Sequence, residues 1–218
     1  MTETARDRIL ARLRRAPREE ALRPPAPAPA DAPERTALSQ HLKARMEAVR
    51  AEVCIVPADR WLDSLKALLR ERGWSTLLYA PETPLGTALE AAWAQDAAGL
   101  PALVAYTETI ESFKERLFTV VTAVTSAAGA VADTGALILR PDSREPRLMS
   151  LVPPVHIAVL PAELIHPTLE DAMRAGGWAA DMPTNLLLIS GPSKTADIEL
   201  TLAFGVHGPK ELIVFVLE

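Results

Sequence analysis

The stretch Leu186-Leu187-Leu188-Ile189-Ser190-Gly191-Pro192-Ser193-Lys194-Thr195 opens the part of the chain that decides the fold. Its apolar first half, bounded by turn-forming residues, is typical of a buried strand. Beyond it, Ile198, Leu202 and Val206 recur at helical spacing, and a second apolar run follows Pro209. The pattern predicts a strand, a polar turn, a helix and a second strand, as in a parallel sheet. In such a sheet the turn at a strand's carboxyl end faces the ligand crevice, so we expect chemistry first at residues 190–195.

The predicted turn carries groups that can hold an anion. Hydroxyls come from Ser190, Ser193 and Thr195, an ammonium comes from Lys194, and a helix start adds free backbone N–H groups. The turn differs from a nucleotide-binding P-loop, because that motif needs a glycine directly before the lysine, where this chain has Ser193. We therefore expect a small anionic ligand or a partner here, and not ATP.

Helix capping is the alternative interpretation of the same residues. Ser193 and Thr195 are usual cap types, and Asp197 and Glu199 suit the positive end of a helix dipole. Both interpretations can hold together.

Upstream of this stretch, helical and strand patterns alternate. Leu38, Leu42 and Met46 predict a helix over residues 36–50 that leads into a strand at 53–56. Further helices are marked by Trp61 to Gly73, by Leu85, Leu89 and Trp93, and by Ile110, Phe113 and Leu117, with strands between them at 75–79 and 102–106. Such alternation predicts an α/β fold, a parallel-rich sheet flanked by helices in a Rossmann-like arrangement of three layers.

Residues 118–160 are rich in valine and threonine with short breaks, which predicts consecutive short strands. Asp133-Thr134-Gly135 is expected to form the turn between two of them. A proline-delimited strand at 152–160 places His156 on the face of Ala158 and Leu160. A lone histidine in such surroundings is more often a hydrogen-bonded core residue than a catalyst. A helical stretch at 163–175, interrupted at Pro167, leads back to the opening stretch.

Composition and charge limit the classes of function. The 218 residues are 49% hydrophobic and 23% charged with a formal net charge of -5, which predicts one sizeable core and argues against nucleic acid as a partner. No apolar run approaches the ~20 residues of a membrane span, and the basic N-terminus lacks the apolar region of a secretory signal, so we expect a cytoplasmic protein. Cys54, the single cysteine, excludes an iron–sulfur cluster built by this chain alone. We expect neither a metal nor a cofactor in the chain.

Residues 1–34 are set apart from the rest of the chain. Residues 4–16 predict a short basic helix, and the prolines from Pro17 to Pro33 predict a semi-extended linker. The remainder, residues 35–218, is expected to form a single α/β domain.

Several polar residues of the C-terminal half lie in predicted turns or at strand ends and could converge on one crevice. The candidate catalytic groups are Asp133, His156, Asp197 and Glu199. The candidate ligand-binding residues are Thr134, Gly135, Ser190, Gly191, Ser193, Lys194, Thr195 and His207.

Three segments resemble the lactate-utilisation protein C (LutC) family, whose domain is also called the LUD domain. They are Ala132-Asp133-Thr134-Gly135, Leu151-Val152-Pro153-Pro154-Val155-His156-Ile157, and Ile189-Ser190-Gly191-Pro192-Ser193-Lys194-Thr195-Ala196-Asp197-Ile198-Glu199 with Gly205-Val206-His207-Gly208-Pro209. The resemblance covers about residues 36–218. It implies a fold similar to that of ribose-5-phosphate isomerase and CoA transferases. It also implies a role in oxidising L-lactate to pyruvate with two partner proteins that carry iron–sulfur clusters.

Three functions stay open on this basis. The first is an accessory subunit of a lactate-oxidising complex that binds a small carboxylate or a partner at the Lys194 turn. The second is a stand-alone enzyme acting on a CoA ester or a phosphorylated small molecule, with Asp133, Asp197 or Glu199 as its base. The third is a structural scaffold without a ligand.

Overall fold

The computed structural model describes residues 5–15, 34–196, 202–204 and 208–218. The chain divides into two units, residues 1–32 and 33–218. The first contains helix α1 (Ala5–Arg15), and the second contains all the other elements. None of the helices in these described residues is long and apolar enough to cross a membrane.

The elements of the second unit alternate as predicted in their first half. The helices are α2 (Arg35–Glu47), α3 (Trp61–Arg72), α4 (Pro84–Gln95), α5 (Ile110–Leu117) and α6 (Leu169–Ala175). The strands are β1 (Glu52–Val56), β2 (Thr76–Tyr79), β3 (Ala102–Ala105), β4 (Thr122–Ser126), β5 (Gly129–Val131), β6 (Ala136–Leu139), β7 (Val155–Pro161), β8 (Ile165–His166), β9 (Leu187–Ile189), β10 (Lys194–Ala196), β11 (Leu202–Phe204) and β12 (Glu211–Leu217).

A six-stranded sheet, sheet A, organises the second unit in the order β1-β12-β7-β4-β2-β3. Every neighbouring pair in it is parallel. Its central strands are buried on both faces, as their continuous apolar runs require. The predicted α/β class, a parallel sheet flanked by helices, is confirmed.

Different elements pack against the two faces of sheet A. On one face Leu65 and Leu69 of α3 and Leu89 of α4 pack against the sheet. On the other face, α2 and a second sheet pack against β7 and β12. The side chains of β7 alternate between the two faces as predicted, with Ile157 on the α3 side and Ala158 on the other.

The second sheet, sheet B, has four strands in the order β8-β5-β6-β9. The predicted hairpin around residues 133–135 is confirmed, because β5 and β6 are antiparallel neighbours. The prediction that residues 186–189 belong to the parallel sheet is wrong: β9 is an edge strand of sheet B, antiparallel to β6. Leu188 is 50% exposed there. A short apolar run fits an edge strand as well as a buried one, so composition could not separate the two.

The predicted helix after the Ser190 turn is also wrong. Residues 194–196 and 202–204 form the antiparallel pair β10–β11, with Thr195 opposite Ala203. The spacing of four between Ile198 and Leu202 agreed with a helix by coincidence, whereas strand pairing satisfies the backbone groups of both short segments. The helical stretch expected at 163–175 is α-helical only from Leu169; a 3₁₀ turn covers Ala162–Leu164 and β8 occupies residues 165–166 before it.

Gly86 allows helix α4 to start directly against strand β2. A Cβ atom there would overlap the carbonyl oxygen of Ala80 and lie 2.8 Å from the Cα of Pro81. Thr83 caps this helix, since its hydroxyl oxygen accepts the N–H of Gly86 at 3.0 Å. The tight turn fixes the loop that follows β2.

His156 and Thr125 form a buried polar pair between neighbouring strands of sheet A. His156 is fully buried, and its Nε2 lies 2.8 Å from the Thr125 hydroxyl oxygen. Its Nδ1 has no hydrogen-bond partner among the described residues. Burial lowers the pKa of His156 to about 4.

Replacing Gly86 by alanine should destabilise the fold by at least about 2 kcal/mol, because the added methyl group meets backbone atoms that cannot move independently. In an unconstrained helix the same change is stabilising, so the sign of the effect is diagnostic. Urea unfolding measures it, with Thr87→Ala in the same turn as the control. A Gly86→Ala variant as stable as the wild type would contradict the close approach.

Protonation of His156 should make the protein acid-sensitive. The unfolded chain binds this proton near pH 6.5 and the folded chain near pH 4, so the free energy of unfolding falls as pH drops through that window. The loss attributable to His156 should be roughly 3 kcal/mol by pH 4. The measurement compares unfolding of the wild type, His156→Gln and, as a control, His41→Gln between pH 7 and 4. Only His156→Gln should flatten the pH dependence; equal slopes in all three proteins would contradict the assignment.

Candidate functional site

The predicted Ser190 turn lies at the amino edge of sheet A. The N–H of Ser193 donates to the carbonyl of Pro209, which precedes β12, at 2.8 Å. The N–H of Lys210 in turn donates to the carbonyl of Pro154, directly before β7, at 2.7 Å. Because both strands begin here, the expectation that this turn sits at the carboxyl edge is wrong. The rule applies to strands of the parallel sheet, and β9 belongs to sheet B.

The sequence motifs nevertheless come together at this edge. Leu137 of β6 is paired with Ile189 of β9, so the turns next to them lie at the same end of sheet B. Both turns touch the end of α2: a Cβ on Gly135 would lie 3.2 Å from the N of Met46, and one on Gly191 would lie 3.0 Å from Cγ2 of Val49. Gly208 packs likewise against Ser193. We call residues 133–135, 190–193 and 208–209 the amino-edge cluster.

The predicted site residues have different surroundings in the structure. Asp133 and Thr134 are exposed, and the N–H of Asp133 donates to the carbonyl of Pro167 at 3.1 Å. Gly135 has a φ of 64°, which suits glycine in this turn. Ser190 is exposed. Asp197, Glu199 and His207 lie outside the described residues, and for Lys194 and Thr195 the description covers the backbone alone.

His156 is buried in the core. With no exposed surface, it has the placement of the hydrogen-bonded core histidine that its apolar neighbours suggested. Any effect on a ligand has to pass through Thr125, its hydrogen-bonded neighbour.

The topology creates a crevice at the opposite, carboxyl edge of sheet A. Strands β2 and β4 are neighbours in sheet A. The connections that follow them pass to opposite faces of the sheet. After β2 it enters α4, which packs on the α3 side, and after β4 it enters sheet B on the other side. A divergence of this kind opens a cleft beyond the strand ends, which is the usual ligand position in open α/β sheets.

Loop 140–147 divides this cleft into two pockets. The first, the Glu82 pocket, has a volume of about 110 Å³ and is lined by Pro81, Glu82, Tyr106, Thr107, Glu108, Ser143 and Arg144. The second, the Ser126 pocket, has a volume of about 10 Å³, which is room for one water molecule, and is lined by Thr125, Ser126, Leu139, Arg140, Pro141, Glu145, Pro146, Arg147 and Ser150.

Asp142 holds the loop in shape. Its carboxylate accepts the N–H groups of Arg144 at 2.7 Å and Glu145 at 2.9 Å and pairs with the Arg144 guanidinium at 2.9 Å. The N–H of Glu145 is the main reason that the pKa of Asp142 is lowered. The loop is thereby ordered where it borders both pockets.

Glu145 closes the carboxyl end of β4. Its carboxylate accepts the N–H of Ser126 at 3.0 Å and also the Ser126 hydroxyl. Burial raises the pKa of Glu145, and the bonds from Ser126 oppose that rise. A half-buried carboxyl group whose pKa is raised can hold or transfer a proton.

Sequence reasoning missed this cleft. Residues 141–146 read only as a polar loop, and no motif marks Ser126 or Glu145. The usable signal was the strand ending at Ser126, because the carboxyl-edge rule applied to β4 points to the residues that follow it.

Within the described residues, no group of three or more His, Cys, Asp or Glu side chains could hold a metal ion. Cys54 lies in β1, and burial raises the pKa of its thiol. It therefore has the character of a structural cysteine and not of a nucleophile.

Several known proteins resemble this chain. An uncharacterized protein of Neisseria meningitidis is 35% identical over 224 residues, which cover 98% of this chain and 94% of that protein. A lactate utilization protein C of Deinococcus radiodurans is 38% identical over 96 residues, and one of Macrococcus caseolyticus is 34% identical over 99 residues. The last two matches span less than half of this chain and of each relative.

A solved structure shares the fold. The crystal structure of a DUF162 family protein from Deinococcus radiodurans superposes with a TM-score of 0.62 at 21% identity, covering 85% of this chain and 99% of that one. The model of the LUD domain family matches residues 39–217. Together with the relative that matches nearly end to end, this match shows that the chain belongs to the LUD domain family.

Proposed function

We propose that this chain is an accessory subunit of a system that oxidises L-lactate to pyruvate. The observation that carries the proposal is the similarity to proteins named lactate utilization protein C from several bacteria, at 32–38% identity. Membership of the LUD domain family is consistent with it.

Electron transfer belongs, in this proposal, to partner proteins that carry iron–sulfur clusters. Lactate oxidation releases two electrons, and this chain has one cysteine, whereas such clusters need several thiolates. We therefore expect the chain itself to hold no iron, and its contribution to be binding a small anion or a partner.

The amino-edge cluster is the surface that we propose for partner or anion contact. It joins three motifs that lie far apart in the sequence, and Asp133, Thr134 and Ser190 are exposed on it. Lys194 follows the cluster directly as the first residue of β10. The backbone of Lys194 is a strand and not a helix start, so the role proposed for this residue rests on its motif.

A second candidate is a stand-alone enzyme acting on a small anionic substrate. The carboxyl end of β4 favours it, because a half-buried carboxyl group, Glu145, lies there together with Arg140 and Arg147. Turnover of a CoA ester or a phosphorylated compound by the purified chain alone would select this function.

Deleting the gene for this chain should slow growth on L-lactate and leave growth on pyruvate unchanged, because pyruvate enters after the proposed step. Restoring the gene with Lys194→Ala should rescue growth on L-lactate poorly, since losing a charge-assisted contact weakens binding roughly tenfold or more. The purified variant should melt at the wild-type temperature, as the lost contact is with a ligand or partner.

Lys114→Ala, on α5, is the matched control and should restore full growth. Normal growth of the deletion strain on L-lactate would contradict the proposed function. Full rescue by Lys194→Ala would contradict only the role given to that lysine.

A further inference from the structure

A third pocket lies on the face of sheet B that points away from sheet A. Leu137 and Leu139 of β6 pack towards sheet A, so Ile138 and Arg140, which alternate with them, lie on the outer face. Helix α6 and Trp178 cover part of that outer face. We call the space that remains there the Trp178 pocket. Its lining includes Ile138, Arg140, His166, Ala172, Ala175 and Trp178.

The Trp178 pocket is large enough for a small organic ligand. Its volume is about 180 Å³, and an apolar cavity of roughly 150 Å³ holds a benzene molecule. Small side chains leave this space open, since α6 lines the pocket with Ala172 and Ala175. Arg140 and Ala175 are exposed, so a ligand can enter from solvent.

The walls of the pocket are mostly apolar. Ile138, Ala172 and Trp178 belong to one hydrophobic cluster, and Leu186 packs against it. Burying an apolar group against such walls is favourable, whereas water molecules there find few polar partners. The body of a ligand for this pocket should therefore be apolar.

Two nitrogen-bearing rings of the pocket are available to a ligand. Trp178 is only 8% exposed, and its Nε1 forms no hydrogen bond with a described residue, although a buried indole N–H usually has a partner. Gly176 keeps this nitrogen open, because a Cβ there would overlap it. His166 lies on the same face, since it pairs in register with Val131, and its ring has no hydrogen-bond partner among the described residues.

Arg140 gives the pocket a positive charge. Among the described residues that line the pocket there is no carboxylate. One guanidinium nitrogen of Arg140 pairs with Asp181 at 3.0 Å, but that carboxylate is 82% exposed. Exposed ion pairs contribute little free energy, and a guanidinium has five N–H donors. Donors of Arg140 therefore remain for an anionic ligand.

From these contacts we infer that the Trp178 pocket binds a small monocarboxylate whose apolar body has about the size of a benzene ring. Arg140 pairs with the carboxylate, because a guanidinium bonds this planar anion in two places. Trp178 Nε1 and the His166 ring donate to its oxygens, and the apolar body lies against Ile138 and Ala172. The inference goes beyond the proposed function and does not depend on it, since L-lactate has only one methyl group to place against these walls.

Phenylacetate tests the inference, because it joins a benzene ring to a carboxylate. In an NMR titration of the ¹⁵N-labelled full chain it should bind with a Kd of about 1 mM or tighter, in keeping with its size. Phenylacetamide, which is neutral and has the same shape, should bind roughly tenfold more weakly or worse, because it lacks the charge that pairs with Arg140. Acetate, which lacks the ring, should also bind roughly tenfold more weakly or worse.

The indole N–H signals give a local readout. The chain has four tryptophans, and the spectrum of Trp178→Phe identifies the signal of Trp178. Phenylacetate should shift that signal and leave the signals of Trp61, Trp74 and Trp93 in place.

Variants separate the contributions of the polar groups. Arg140→Ala should weaken phenylacetate binding roughly tenfold or more, as expected for hydrogen bonds to a charged group, and Trp178→Phe roughly three- to tenfold. Asp181→Asn removes the competitor for Arg140 and should strengthen binding by up to about fivefold. Arg116→Ala on α5, outside the pocket, is the matched control and should bind like the wild type. If Trp178→Phe does not fold, the variants of the exposed residues Arg140 and Asp181 still decide the question.

The inference is overturned if phenylacetate does not bind, if phenylacetamide binds as tightly, or if Arg140→Ala binds like the control. It is also overturned if the Trp178 signal shifts when the protein concentration alone is raised, because a second copy of the chain then covers the pocket.

Discussion

Sheet A depends on its last strand. Strand β12 lies between β1 and β7 and pairs in parallel with both along its length. Among the described strands β1 has no other partner, so the first strand of the sheet is held by the last. Pairing β12 in parallel with β1 brings together segments far apart in the sequence, and ordering the chain between them has a large entropic cost. The contact between β1 and β12 therefore organises the unit as a whole. It also brings the Pro209 turn to the start of β7, which builds the amino-edge cluster.

The first half of the fold could be predicted from local signals. Helix α3 begins at Trp61 and ends at Arg72 with Gly73 in the left-handed conformation, as its apolar spacing and the glycine indicated. The hairpin at residues 133–135 followed from its turn residues. Such elements are predictable because their periodicity, caps and turn chemistry all lie within a few residues of one another.

The prediction for the stretch from Leu186 was wrong where it depended on contacts between residues far apart in the sequence. Residues 187–189 form a strand, as predicted, but pairing with β6 is a long-range choice that its short apolar pattern does not encode. Once β9 joins sheet B, the turn that follows it lies at the amino edge. The described segments 133–135, 190–193 and 208–209 lie together, but at the edge of sheet A opposite to the expected one. The Ser126 pocket could not be predicted, because Thr125, Arg140 and Arg147 meet only through the folding of the long connection between β4 and β7.

The two edges of sheet A thus have different characters. The amino edge holds the family motifs in close backbone contact with the end of α2. The carboxyl edge holds two guanidinium groups, a half-buried carboxyl group and the buried pair of Thr125 and His156.

The most direct measurement is amide NMR of the ¹⁵N-labelled chain during addition of L-lactate and pyruvate. If the amino-edge cluster is the contact surface for a small anion, the shift changes should concentrate at Ser190, Ser193 and the residues around Gly208. They should leave Ser126 and Glu145 unchanged. Changes confined to Ser126, Glu145 and Arg147, with none in the amino-edge cluster, would contradict the account.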